Sequence, residues 1–119
     1  MDKQHTPLPE GFFVVTPISK APVLLDAPGY ESLSIVLGRA FAQAAAGKGH
    51  ERHAQSLPFH EQPMQQICQL TSVDFALGQA MKKAQESKRL PRERAVAELL
   101  GAINYLAGAV IHIEQAGHV

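Results

Sequence analysis

Charge of one sign, a second cysteine, and any long unbroken apolar run are what this chain lacks. Its 11 basic and 11 acidic residues give a formal net charge of zero. There is thus no global field to steer it onto duplex nucleic acid or an anionic membrane. The single cysteine, Cys68, excludes an internal disulfide, and one thiol makes no metal site. The expectation is a reducing, intracellular location, the cytoplasm. No charged-then-apolar leader opens the sequence. The longest uncharged apolar run, Leu99 to Ile111, falls short of the roughly 18 residues of a membrane span, so no membrane partner is expected.

Catalytic signatures are scarce as well. There is no Gly-x-Ser-x-Gly elbow and no His-Glu-x-x-His pair. Neither a Walker loop nor a dinucleotide fingerprint is present. A length of 119 residues with 45% hydrophobic and 18% charged residues fits one globular domain.

Five of the eight prolines (Pro7, Pro9, Pro17, Pro22 and Pro28) fall in the first 28 residues. Proline fixes φ and biases the preceding residue toward extended backbone, so residues 1–29 read as an extended arm. Its clusters Phe12-Phe13-Val14-Val15 and Val23-Leu24-Leu25 are too apolar for a simple disordered tail. They suggest a short strand at 12–15, and a strap over the helices or an arm for a partner.

From residue 30 onward the apolar period is helical, and 30–119 reads as an all-α domain, a bundle of about four helices. Leu33, Val36, Leu37, Ala40, Phe41 and Ala44 define a first helix over 30–46, closed by Gly47. Pro63 opens a second, with Met64, Ile67 and Cys68 on one face, ending near Leu70. Thr71-Ser72 offers a cap for a third, whose stripe is Leu77, Ala80, Met81 and Ala84, running to about Lys88. Pro91 fits the first position of the last helix, 91–115. That helix is apolar over most of its circumference, and Gly101, Ala102, Gly108 and Ala109 would let a neighbouring backbone approach closely. It belongs either at the centre of the bundle or in a self-association seam, and because four helices of these lengths leave little to wrap it, a homo-oligomer through helix 91–115 is expected.

What chemistry the chain has is concentrated between Gly47 and Pro63, where His50, His53, His60, Glu51, Glu61, Lys48 and Arg52 fall together. A connector that only spans a gap needs none of these side chains, and binding residues favour loops on a rigid scaffold. Lys48, Arg52 and His53 beside free backbone N–H groups suit a phosphate or another anion. Pairing of Arg52 with Glu51 or Glu61 to pin the loop is the plainer alternative. His50 and His53 would share a helical face with His60 near, but His-x-x-His without a third ligand at fixed spacing does not define a zinc site, and no metal is expected. Phe59 is either a core anchor or a ring that stacks on a base. Lys82 and Lys83, with Lys88 and Arg89, either compensate the third helix's dipole or add cations to the ligand site.

The stretch Ala97-Glu98-Leu99-Leu100-Gly101-Ala102-Ile103-Asn104-Tyr105-Leu106-Ala107 resembles the metal-binding helix of the all-α nucleoside triphosphate pyrophosphohydrolases, the MazG-like superfamily. The chain order over 30–115 is also similar to small phage-encoded dATP/dGTP diphosphohydrolase-like proteins. The resemblance implies an all-helical fold and carboxylates that hold magnesium against a triphosphate. Glu98 matches one acidic position, but Leu99 and Ala102 stand where the family has a second Glu and an Asp. Gln79, Lys82 and Lys83 stand where paired glutamates would be, leaving Glu86. Magnesium on a triphosphate needs several oxygen ligands near one point. The expected function is therefore binding without hydrolysis and without a cofactor: a nucleotide or other anionic ligand held by Lys48, His50, Arg52, His53, Phe59, His60, Lys82 and Lys83. A phage protein that sequesters a nucleotide signal would fit that resemblance. The alternatives are a magnesium-dependent pyrophosphohydrolase and an interaction module that inhibits a host complex.

Overall fold

A computed structural model describes residues 27–46 and 57–116. The expected strand at 12–15 and the arm up to residue 26 lie outside the described residues. The chain divides into two compact units, Met1–Ser34 and Ile35–Val119. In the first, Tyr30 N donates to Ala27 O at 3.0 Å, closing a turn, and Gly29 holds φ at 85°. That left-handed conformation costs glycine little and strains other residues. Gly29 N also donates to the Glu31 carboxylate, which sits in the first turn of the following helix.

The described residues form four α-helices and no strand: α1 (Glu31–Ala46), α2 (Pro63–Leu70), α3 (Asp74–Ser87) and α4 (Arg92–Ala116). A single 3-10 turn, Phe59–Glu61, precedes α2. The all-α expectation holds, and the helix limits fall within a residue or two of those read from the sequence. Local chemistry explains the boundaries. Gln62 O accepts from both Gln65 N and Gln66 N as α2 starts on Pro63. At its end the Thr71 hydroxyl donates to Ile67 O at 2.7 Å, so Thr71 closes α2 and leaves Ser72 to serve α3. Ser72 Oγ accepts from Asp74 N at 3.0 Å, satisfying one free donor of the new helix. Pro91 sits one residue before the first helical residue, and its carbonyl accepts from Ala95 N.

The packing faces differ from the expected stripes. α4 packs chiefly on α3, with α2 across the same side. The centre is Cys68, Ala76 and Ala109, wrapped by Met64, Val73, Phe75 and Tyr105. On α3 the inward residues are Ala76 and Ala80, while Leu77, Met81 and Ala84 of the expected stripe are exposed. Two alanines one turn apart let α3 and α4 approach closely, and larger side chains are turned outward. On α1 only Ala40 is buried, Leu37 and Ala44 are partly covered, and Leu33, Val36 and Phe41 are exposed. Its link to α4 is polar: Asn104 Nδ2 donates to Ala40 O at 2.9 Å and Gln43 Nε2 to Ala97 O at 3.2 Å.

The small residues of α4 are used within the chain. Ala102, Gly108 and Ala109 are buried. A methyl group at Gly108 would collide with the Met64 sulfur and sit 3.2 Å from Gln65 Nε2. The close approach that glycine permits is thus made to α2. α4 is also long and apolar enough to cross a membrane by length and composition alone: one 18-residue window has mean hydropathy 1.6, and 22% of that window is buried. The sequence-level estimate stopped at Ile111, but the apolar character continues past His112 to Ile113.

Candidate functional site

A pocket of about 270 Å³ opens among α1, the 3-10 turn and α2 to α4. Phe59, Phe75 and Tyr105 supply aromatic surface, and Lys83, Asn104 and Gln43 supply polar groups. Each is placed by a local device. Phe59 stands in the 3-10 turn made when Glu61 N donates to Pro58 O at 2.8 Å. Gln62 Nε2 donates to Leu57 O and Gln66 Nε2 to Glu61 O, so two side-chain amides pin that turn to α2. Phe75 meets Tyr105 edge-on, with ring centroids 6.2 Å apart and planes at 76°. This is a favoured aromatic geometry that fixes both rings.

Lys83 is the cation of the pocket. Its Nζ lies 5.9 Å from the Tyr105 ring centroid and 3.5 Å from Glu98 Oε1. The Lys83 stem lies 3.2 Å from where a methyl group on Gly101 would be, so Gly101 leaves the room in which the lysine crosses α4. The ammonium is held between a ring face and a carboxylate at a partly covered site. Glu98 cancels much of its field, so this lysine alone makes a weak anion site.

The other residues singled out in the sequence are distributed as follows. Lys48, His50, Arg52 and His53 lie outside the described residues. Phe59 and Lys83 line the pocket. Lys82 is exposed and does not line it. His60 is exposed, with its Nε2 3.5 Å from Glu61 Oε2. Cys68 is 1% exposed, on the buried face expected for it. Phe75, Asn104, Tyr105 and Gln43 also line the pocket and were not among the sequence candidates. One signal was available: Asn104-Tyr105 interrupts an otherwise apolar helix, and polar groups in such a place need partners.

The described residues do not assemble a magnesium site. Among them no three His, Cys, Asp or Glu side chains are grouped to hold a metal ion. Glu98, the residue that matches the pyrophosphohydrolase pattern, is engaged by Lys83. Comparison of the chain with protein-family models, curated proteins and solved structures gives no match.

Proposed function

We propose that this protein binds, without hydrolysing it, a nucleotide or another ligand that joins a planar ring to a phosphate-like group. The pocket carries the reading: three aromatic side chains and one ammonium converge on a single cavity. Aromatic side chains stack bases with about 1–3 kcal/mol each. At about 270 Å³ the cavity is slightly below the roughly 300–1,000 Å³ of whole-ligand pockets. It suits a ring, with the charged part of the ligand outside.

Chain connectivity supports a cationic supply for that charged part. The segment 47–56 begins three residues after Ala44 and ends three before Phe59, both pocket residues. Lys48, Arg52 and His53 thus lie, in sequence, between two pocket residues. Binding rather than hydrolysis is favoured because Glu98, the carboxylate that matches the pyrophosphohydrolase pattern, does not line the pocket and is paired with Lys83.

A panel of nucleoside mono-, di- and triphosphates tests this by thermal shift and titration calorimetry. At least one member is expected to raise the melting temperature. Tyr105→Leu is expected to weaken that binding about tenfold, the loss of one stacking partner. Lys48→Ala combined with Arg52→Ala is expected to abolish the shift. A flat panel sinks the proposal, and release of pyrophosphate in the presence of magnesium would replace binding with hydrolysis.

A further inference from the structure

The described residues are packed inside out in size. Their buried apolar side chains are five alanines, Cys68 and Leu100, whereas twelve large hydrophobic side chains are exposed. Four of those twelve are on α4: Leu99, Leu106 (48% exposed), Val110 (51%) and Ile113 (57%). With the partly covered Val96 and Ile103 they form a row, 96, 99, 103, 106, 110 and 113, spaced alternately by three and four residues. This is the spacing of a coiled-coil heptad. Val96, Ile103 and Val110 take the a positions, and Leu99, Leu106 and Ile113 the d positions.

At 100° per residue the six side chains fill an arc about 100° wide, centred nearly opposite Gly108. Gly108 is the residue pressed against Met64 of α2. The centre of the seam therefore points away from the contact with α2, while buried Ala102 and Ala109 lie along one edge of it. We propose that α4 packs along this seam against α4 of a second copy, as a parallel two-stranded coiled coil.

Three features select that occupant. Branched Val and Ile at a with Leu at d favour two parallel strands, and this seam carries branched residues at all three a positions and Leu at two of its three d positions. The positions flanking it are Ala95 and Ala107, together with Leu100, Ala102 and Ala109, which the chain itself already buries, so no charge repels a second copy until Glu114. The rows are self-complementary, as a two-fold interface requires. An occupant without helical knobs fills such a seam badly. A bilayer is disfavoured by the opposite arc of α4. There Glu98 pairs with Lys83, Asn104 binds Ala40 O, and Gly108 O accepts from Gln65 Nε2 at 2.8 Å. Crossing a membrane would break these contacts or bury them in lipid.

Sedimentation and native mass of the full chain test the pairing. The expected species has twice the 12.9 kDa chain mass. Leu106→Glu with Val110→Glu is expected to give a monomer with unchanged helical circular dichroism, since both side chains are about half exposed and outside the bundle core. A monomeric wild type overturns the proposal, whether the arm or solvent covers the seam, and so does transfer of the wild type into phosphatidylcholine vesicles. A dimer that survives both glutamates overturns it as well. Val110→Cys reads the orientation, because Cys68 is buried and silent. A parallel seam places the two new thiols opposite each other and gives a disulfide-linked dimer on oxidation. A dimer that never cross-links overturns the parallel arrangement.

Discussion

Gln65 is fully buried at the contact of α2 with α4, and its two amide atoms have opposite fates. Nε2 donates to Gly108 O at 2.8 Å, whereas Oε1 has no hydrogen-bond partner. A buried acceptor left unpaired costs about 1–3 kcal/mol, comparable to what the Nε2 bond contributes. Gln65→Met keeps the volume and removes both terms. It is expected to fall within about 1 kcal/mol of wild type in urea unfolding. Gln65→Ala leaves a cavity instead and is expected to cost about 2–4 kcal/mol. If both variants cost the same, the hydrogen bond rather than the volume is what holds α2 to α4. Gly108 gives the complementary case. Alanine there gains about 1 kcal/mol of helix propensity but must displace Met64 and crowd Gln65, which costs about 1–3 kcal/mol, so Gly108→Ala is expected to lower the melting temperature.

For the helices themselves, the contrast between Gly108 and Gly78 separates packing from propensity. Gly78 lies inside α3, and nothing stands within 4 Å of where its methyl group would be. Gly78→Ala is expected to raise stability by about 0.5–1 kcal/mol, read as an increased denaturant midpoint. The two glycines look alike in sequence, and only the neighbouring α2 tells them apart. The same holds for whole faces. Pro63, Ser72 and Pro91 act locally, through φ and through bonds to nearby backbone, so they place the helix ends without any tertiary contact. The inward faces of α1 and α3 are legible only in part, Ala40 and Ala80 being buried as their stripes imply, because the apolar period says which side is apolar, not which neighbour covers it. Ala76 and Ala80 won the inner face of α3 over Leu77 and Met81 by allowing close approach. The pocket was half legible for a related reason. Phe59 and Lys83 stand out by residue type, but nothing local marks Phe75 and Tyr105 as partners, which only the packing of α3 against α4 brings together.

Taken together, the described residues cover their small side chains well and their large ones poorly. Alanine burial removes little apolar area from water per residue, so the single-chain core contributes modestly at about 25 cal/mol per Å². If the exposed seam of α4 is covered by a second copy, folding and association are linked, and the melting temperature must rise with protein concentration. A tenfold dilution series in a calorimeter is expected to lower the midpoint steadily for the wild type. It should leave the doubly glutamate-substituted seam variant unmoved. The pocket and the seam occupy different arcs of α4, so ligand-induced stabilisation should persist in that variant. Loss of the ligand response along with the dimer would mean that the pocket is completed only on assembly.

Cys68 gives the protein a built-in clock. A lone thiol closed off from solvent beside Ala76 and Ala109 reacts with a disulfide reagent only when α2 lifts away. Its rate of modification therefore counts opening events of the helical core. The native chain thus reports its own breathing with no label added, and a ligand that rigidifies the pocket will slow that count.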